Sequence, residues 1–132
     1  MPQKKVPTWD EIKAQLNTNI IAIDFDDTIT TKAPYPVQGS LRKDARKYIH
    51  KLHNKGYRLV LWSARVGDSF ETAKSLCEKW KLPIEVDSNN LIHGTTGKLV
   101  ASFYVDDKAV LGKLKWRKVY RYIIRNIKIK EN

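Results

Sequence analysis

Acidic side chains gather at two points of the chain, each directly after an apolar segment. The run NIIAI leads into Asp24, Asp26 and Asp27. The run SFYV leads into Asp106 and Asp107. Carboxylates that meet in a partly dry cleft repel each other unless a cation joins them, and Mg²⁺ commonly binds one or two carboxylates together with substrate phosphate. If the two clusters meet, they predict a Mg²⁺ site for phosphate chemistry, whereas either cluster alone fits a helix N-cap or a solvated turn.

The spacing of apolar residues predicts the elements that carry these acids. Continuous apolar runs, typical of strands buried on both faces, occur at 19–24, 57–63 and 102–105, with a shorter strand at 84–86. Helical spacing occurs at 8–17, 41–52, 68–80 and 116–127. Thr8 and Glu11 have the spacing of a capping box that begins the first helix, and Gly56 is predicted to end the second. This alternation predicts one α/β domain, residues 1–132, with a mostly parallel open sheet in a three-layer α/β/α arrangement. Because parallel strands share one carboxyl edge, where ligands bind, both acidic clusters should converge there.

The order of polar residues at the strand ends is that of a known family. The first strand leads into Asp24-Phe25-Asp26-Asp27-Thr28, the second ends in Ser63, and Lys98 stands eight residues before Asp106-Asp107. This order resembles the four motifs of the haloacid dehalogenase-like (HAD) hydrolases, over about residues 19–110. The resemblance implies a Rossmann-like core of the small capless phosphatase type, since neither the loop 30–39 nor the segment between Ser63 and Lys98 leaves room for a cap domain.

The resemblance also implies a mechanism. Asp24 attacks phosphorus and forms an aspartyl-phosphate, while Asp26 protonates the leaving oxygen and later activates water. The side chain of Asp26 must be free for this task, so its backbone carbonyl is the metal ligand. The implied Mg²⁺ ligands are Asp24, Asp26, Asp106 and Asp107. The residues implied to orient the first loop or to contact the substrate phosphate are Thr28, Ser63, Ala64, Arg65 and Lys98.

Two of these positions leave alternatives open. Asp27 stands where the family often has Gly, and we interpret it as a turn residue rather than as an extra charge near the metal. Arg65 belongs to a Ser-x-Arg sequence that the phosphatase part of polynucleotide kinase-phosphatases shares. It either contacts the substrate or forms a salt bridge.

The distribution of charge predicts a polyanionic partner. The formal net charge is +11, and the segment 113–132 holds eight Lys and Arg against Glu131 alone. Such a segment suits a nucleic acid or an anionic surface, and a solvated helix face is the alternative interpretation. Together with an uncapped site it predicts a phosphate at a nucleic-acid end as the substrate. A nucleic-acid-binding module without turnover is the alternative function.

The composition excludes other classes. No apolar run approaches the roughly 20 residues of a membrane span, and the N-terminal residues 1–18, which hold the first helix, lack the apolar stretch of a secretory signal. The lone Cys77 cannot form an internal disulfide and is interpreted as a small core residue. These features predict a cytoplasmic protein. A response-regulator receiver fits less well because it lacks an acid pair after its late Lys.

Overall fold

The computed structural model describes residues 6–16, 19–31, 33, 39–63, 65, 67–86, 91, 99, 101–106 and 114–129. Within these residues there are three strands and four helices, in the order α1 (Trp9–Leu16), β1 (Ile20–Ile23), α2 (Ala45–Asn54), β2 (Arg58–Leu61), α3 (Gly67–Lys79), β3 (Phe103–Val105) and α4 (Trp116–Asn126). The strands form one sheet and are parallel. The predicted α/β class is therefore confirmed.

The central strand of the sheet is β1, in the order β2-β1-β3. Its last residue, Ile23, lies opposite Leu61 of β2 and Val105 of β3. All three strands thus end at the same level, and the residues that follow them emerge at one edge. Glu85 forms a single parallel bridge with Val60, so the short strand predicted around it is reduced to one paired residue.

The core extends over both faces of β1, whose four residues are fully buried. Ile21 and Ile23 belong to a large cluster that includes buried side chains of α2, α3 and α4. Ile20 and Ala22 point to the opposite face and belong to a second, smaller cluster. Successive side chains of a strand alternate between its faces. A strand covered on both faces therefore needs the continuous apolar run that the sequence shows.

Local signals set the ends of two helices as predicted. The backbone N–H of Thr8 donates to the carboxylate of Glu11 at 3.1 Å, and the N–H of Glu11 donates to the hydroxyl of Thr8 at 3.2 Å. This reciprocal pair is a capping box at the start of α1. After α2, Gly56 has a φ of +102°, and its N–H donates to the carbonyl of His53 at 3.0 Å. Glycine is favoured at this position because it adopts positive φ without strain.

Helices α2 and α4 pack against each other. The rings of Tyr48 on α2 and Tyr120 on α4 have centroids 5.4 Å apart. The hydroxyl of Tyr57, which follows α2, donates to the carbonyl of Ile127 at the end of α4. Burial raises the pKa of Tyr57, and the nearby Tyr120 adds to the effect. The two helices are thus tied together along much of their length.

Two predictions outside the site concern Cys77 and the membrane. Cys77 is buried in the core on α3, as predicted. Burial raises the pKa of its thiol to about 12, so the reactive thiolate is scarce near neutral pH.

In the part of the chain that the structure describes, no helix has both the length and the apolar character needed to cross a membrane.

Candidate functional site

The residues that follow the three strands are neighbours at one edge of the sheet. The N–H of Asp24 donates to the carbonyl of Val105 at 3.0 Å, and the N–H of Trp62 donates to the last carbonyl of β1 at 2.9 Å. These bonds continue the parallel pairing one residue beyond the strands. Asp24 therefore stands beside the start of the segment that carries Asp106. Ser63 follows at the same edge, two residues after the end of β2.

Asp24 is partly buried, and its own turn orients its carboxylate. Oδ1 accepts a hydrogen bond from the N–H of Phe25 at 2.9 Å. Phe25 is fully buried and anchors the start of the turn in the core. Asp106 is also partly buried. Two acidic residues that follow adjacent strands are thus withdrawn in part from water. Charges interact more strongly there than at an open surface.

The turn after β1 is folded around one carbonyl group. The carbonyl of Phe25 accepts the N–H groups of Thr28 at 3.3 Å, Ile29 at 3.0 Å and Thr30 at 3.2 Å. Asp27 has a φ of +62°, in the left-handed region that Asp and Asn tolerate better than most residues. Its N–H donates to the hydroxyl of Thr30 at 3.2 Å. These bonds support the interpretation of Asp27 as a turn residue.

Asp26 is bound by Arg65, which lies 39 positions further along the chain. Nε of Arg65 donates to Oδ2 and Nη2 donates to Oδ1, both at 2.6 Å, so the ion pair is bidentate. The side chain of Arg65 is 2% exposed and that of Asp26 is 41% exposed. The sequence-based expectation of a free Asp26 side chain differs from this structure, in which both carboxylate oxygens accept hydrogen bonds.

The guanidinium of Arg65 is enclosed by its own loop and by the first turn. It lies 5.5 Å from the ring centroid of Phe25, and Nη1 donates to the hydroxyl of Ser69 at 3.1 Å. Its backbone N–H donates to Oγ of Ser63 at 3.1 Å. Of the two alternatives for Arg65, the salt bridge is the one found here. A buried guanidinium needs such a counter-charge, because its transfer out of water is otherwise costly.

Asp27 is bound by a second arginine, Arg42, which holds its backbone as well as its side chain. Nη2 of Arg42 donates to the carbonyl of Asp27 at 2.7 Å and to its Oδ1 at 2.9 Å, and Nε donates to the same carbonyl at 3.2 Å. The N–H of Arg42 donates to the carbonyl of Ile29 at 2.8 Å. The segment that leads into α2 is therefore fastened to the turn.

The buried half of the turn is bound by α4. Thr28 is fully buried, and its carbonyl accepts a hydrogen bond from Nε1 of Trp116 at 3.0 Å. Full burial favours the loop-orienting role of Thr28 over direct contact with a substrate. Arg42 and Trp116 are absent from the site predicted from the sequence. Asp27, at a position where the HAD hydrolases often have Gly, indicated a turn, but no pattern in the sequence identified either partner.

Residues at this edge carry oxygen types that bind cations. Asp24 and Asp106 have carboxylates and Asp26 has a backbone carbonyl, which are the donor types that Mg²⁺ prefers. Within the described residues, no group of three or more His, Cys, Asp or Glu is arranged so that it could hold a metal ion. The predicted site residues that lie outside the described residues are Ala64, Lys98 and Asp107.

Comparison with known proteins gives a structural relative but no family. The sequence matches no family model, and no curated protein matches it significantly. The chain is similar to the solved structure of a conserved protein from Bacteroides thetaiotaomicron, with a TM-score of 0.66 and 29% sequence identity. The match covers 83% of this chain and 91% of that chain. This similarity supports the α/β fold over most of the sequence.

Proposed function

We propose that the protein is a Mg²⁺-dependent phosphomonoesterase that works through an aspartyl-phosphate on Asp24. The proposal includes the single-domain, three-layer, capless fold that the HAD resemblance implies. The observation that carries it is the 3.0 Å hydrogen bond from the N–H of Asp24 to the carbonyl of Val105. This bond sets the proposed nucleophile next to the segment of Asp106, as a shared phosphate and cation site requires.

In the first step a carboxylate oxygen of Asp24 attacks the phosphorus of a phosphate monoester. A new O–P bond forms, and the bond between phosphorus and the leaving oxygen breaks, with its electron pair staying on that oxygen. Asp26 enters this step protonated on one carboxyl oxygen and donates that proton to the leaving oxygen, becoming the carboxylate that acts as the base in the second step. The 2.9 Å bond from the N–H of Phe25 holds Oδ1 of Asp24 in one orientation. Such fixed geometry reduces the entropic part of the barrier.

In the second step water attacks the phosphorus of the aspartyl-phosphate. Asp26 takes a proton from the water, Asp24 leaves as a carboxylate, and inorganic phosphate is released. Ser63 binds a phosphoryl oxygen during both steps. Because Oγ of Ser63 accepts the N–H of Arg65 at 3.1 Å, its own hydroxyl proton can be donated to phosphate. Lys98 supplies positive charge to the same oxygens.

Arg65 acts through Asp26 and is a positioning residue. Its bidentate grip, with both bonds at 2.6 Å, fixes the plane of the Asp26 carboxyl group. Each carboxylate oxygen keeps a second lone pair, and the Asp26 side chain is 41% exposed. Asp26 can therefore exchange a proton with the substrate while Arg65 continues to hold it.

The residues proposed to hold Mg²⁺ are Asp24, Asp106 and the backbone carbonyl of Asp26, with Asp107 bound directly or through water. Their chemistry suits this ion, which takes few carboxylates and leaves positions for water and phosphate oxygens. When bound, Mg²⁺ neutralises the carboxylates and polarises the phosphoryl group.

Hydrolysis of p-nitrophenyl phosphate, with Mg²⁺ or with EDTA, tests this function. Asp24→Asn removes the nucleophile at nearly constant size, and we expect kcat to fall by at least about 10³-fold. Asp44→Asn is the matched control, because Asp44 is exposed and makes no side-chain cap hydrogen bond at α2. The control should retain wild-type activity. Wild-type turnover by the Asp24→Asn variant, or turnover that EDTA leaves unchanged, would contradict the proposal.

The alternative function is nucleic-acid binding without turnover, and the basic residues of α4 favour it as the second candidate. Under this alternative the wild-type protein hydrolyses no phosphate ester, and Asp24→Asn leaves nucleic-acid affinity unchanged. Measured together on one set of variants, turnover and binding therefore separate the two functions.

A further inference from the structure

Nearly all of the net positive charge lies on one pair of helices and the residues that flank them. The segments 43–55 and 114–129, which contain α2 and α4, hold eleven Lys and Arg against one acid, Asp44. Their net charge is therefore +10, compared with +11 for the whole chain. All eleven basic side chains are exposed. We call the exposed surface of these two segments the basic helix pair.

The two helices form one surface because they pack side by side. Nζ of Lys51, on α2, lies 5.4 Å from the ring centroid of Tyr48 and 5.6 Å from that of Tyr120 on α4. This ammonium group therefore sits where the helices meet. The sequence pattern pointed to the C-terminal basic segment alone, and the fold adds a second row of cations beside it.

On α4 the cations are arranged along the helix. Arg117, Arg121 and Arg125 follow one another at intervals of four residues and so lie on one side of α4. The apolar side of the same helix is buried in the core. Tyr122, the residue after Arg121, is 52% exposed, and its ring packs against that of Phe103 on β3 with centroids 5.3 Å apart.

Both helices of the pair begin at the candidate site. Arg42, three residues before α2, binds Asp27 through three hydrogen bonds. Trp116, the first residue of α4, binds the carbonyl of Thr28. An anionic chain that follows either helix towards its N-terminal end therefore arrives at the turn that carries Asp24. Helix N-terminal ends also carry partial positive charge, which favours phosphate.

We infer that the basic helix pair binds the sugar-phosphate backbone of a nucleic acid and directs a phosphorylated end of it to the edge of the sheet. The binding of nucleic acid is inferred from the charge and packing of α2 and α4. The delivery of a phosphorylated end to Asp24 rests on the proposed function.

A nucleic acid fits this surface better than an anionic membrane does. Helices that lie on membranes insert their apolar side into the lipid, whereas Trp116, Val119 and Ile123 of α4 are buried in the core. A surface that binds a nucleic acid needs cations distributed along it, because these replace the counterions of the phosphates. It does not need exposed apolar area. The Tyr122 ring packs on Phe103, and the half of it that is exposed can stack a base, which adds affinity for nucleic acids.

Fluorescence anisotropy measures the docking directly, with a fluorescein-labelled DNA duplex and a single-stranded RNA of equal length as probes. We expect binding that weakens with salt, with a log–log slope of about 0.9 for each phosphate neutralised on the duplex. Vesicles of phosphatidylserine and phosphatidylcholine form the membrane arm. The inference would be overturned if the protein bound neither nucleic acid. It would also be overturned if the protein bound the vesicles as tightly as the nucleic acids.

The first variant tests α4 and combines Arg117→Glu, Arg121→Glu and Arg125→Glu. We expect an affinity at least about tenfold lower and a salt slope smaller by up to about three. The same three positions changed to Gln give a milder form in case the charge reversal disturbs folding, and circular dichroism checks both. The Gln form should show a smaller loss in the same direction.

The second variant tests α2, which the inference adds to the C-terminal segment. It combines Lys43→Glu, Arg46→Glu and Lys47→Glu. We again expect a loss of about tenfold or more. If this folded variant binds as the wild type does, the two-helix surface is wrong.

The matched control changes the net charge by the same amount elsewhere. It combines Lys13→Glu, Lys79→Glu and Lys81→Glu, three exposed lysines on α1, at the end of α3 and just after it. We expect the affinity for nucleic acid to fall by less than about threefold, because the lower net charge weakens the overall electrostatic attraction. If the control lost as much affinity as the helix variants do, nucleic-acid binding would depend on net charge only. The inference that the basic helix pair is the binding surface would then be wrong.

Turnover separates this inference from the proposed function. We expect both helix variants to hydrolyse p-nitrophenyl phosphate at wild-type rates and a 3′-phosphorylated oligonucleotide more slowly. If the wild type binds nucleic acid through both helices but hydrolyses neither substrate, the proposed function fails while the docking stands. If it hydrolyses the small ester but neither helix variant changes nucleic-acid binding, the docking fails while the proposed function stands.

Discussion

Two aspartates that are neighbours in the sequence are each bound by an arginine, yet the arginines hold different parts of them. Arg65 binds Asp26 through its carboxylate, and the Arg65 side chain is 2% exposed against 41% for that of Asp26. Arg42 binds the backbone carbonyl of Asp27 as well as its carboxylate, and these side chains are 15% and 28% exposed. The first pair thus joins a buried cation to an exposed acid, while the second lies at an intermediate depth.

The comparison shows two ways in which an ion pair serves a turn. A bond to a side chain fixes where that side chain points, so the Arg65 pair should matter most for the chemistry of Asp26. A bond to the backbone fixes the turn itself, so the Arg42 pair should matter most for stability. A third pair, between Arg58 and Glu85, is 35% and 41% exposed. Because it lies outside the turn, it serves as a comparison for the stability contributed by the other two pairs.

Replacement of Arg65 should have the largest effect. Arg65→Lys keeps the positive charge but cannot donate two parallel hydrogen bonds, so Asp26 loses its fixed orientation. We expect kcat for p-nitrophenyl phosphate to fall about 100-fold, as for a misplaced catalytic group, with little change in KM. Steady-state kinetics at saturating Mg²⁺ measures both constants, on the premise of the proposed function.

Ser69→Ala is the control for Arg65→Lys. It removes the hydroxyl that accepts Nη1 of Arg65 at 3.1 Å but leaves both bonds to Asp26. We expect a kcat within about fivefold of the wild type, since one partly solvated hydrogen bond is worth about 1 kcal/mol. A rise in KM at constant kcat in Arg65→Lys would instead restore Arg65 to the substrate contact predicted from the sequence.

Replacement of Arg42 should have the next largest effect, on stability. Arg42→Ala leaves the carbonyl of Asp27 without its guanidinium donors in a partly buried turn. We expect the free energy of unfolding in urea to fall by about 1–3 kcal/mol. Arg46→Ala, an exposed arginine on α2, should change it by less than about 0.5 kcal/mol. Equal stabilities of the two variants would refute the view that Arg42 fixes the turn.

The ion pair between Arg58 and Glu85 should contribute less to stability. A hydrogen bond with Glu85 raises the pKa of Arg58 above its ordinary value, so the guanidinium stays charged at any working pH. Because both side chains are more than a third exposed, we expect Arg58→Ala to lower the free energy of unfolding by less than about 1 kcal/mol. A loss as large as that of Arg42→Ala would show that burial does not set the order of the pairs.

The smallest net effect is expected for Asp27→Gly, because two contributions oppose each other. The change removes the 2.9 Å bond between Oδ1 and Arg42 but keeps the backbone carbonyl that Arg42 also binds. It also relieves the left-handed conformation at φ +62°, which costs about 1–2 kcal/mol for an ordinary residue and less for Asp. We expect the midpoint of urea unfolding to stay close to that of the wild type. A large loss would mean that the side chain of Asp27, rather than its carbonyl, is what Arg42 needs.

Patterns local in the sequence predicted the four helices and three strands of the described residues and the edge where Asp24 and Asp106 emerge, whereas the fourth predicted strand, around Glu85, is a single bridge. The apolar run of β1 predicted a strand covered on both faces, and Thr8 with Glu11 predicted the start of α1. Alternation of strands and helices predicted a parallel sheet, which brings the segments after β1 and β3 together. The first two predictions succeeded because periodicity and capping depend on residues close to one another in the chain, and the third because parallel strands share one carboxyl edge whatever their order.

Only the tertiary structure decided which side chains hold the turn and which helices share a surface. Arg65 reaches Asp26 across 39 positions and Arg42 reaches Asp27 across 15, and no periodic pattern selects these arginines among the chain's many basic residues. The pairing of α2 with α4, which gathers the positive charge, likewise depends on the order of strands in the sheet. Each of these contacts joins distant segments, so its partners are chosen by packing and by the burial of charge, which a linear pattern does not encode.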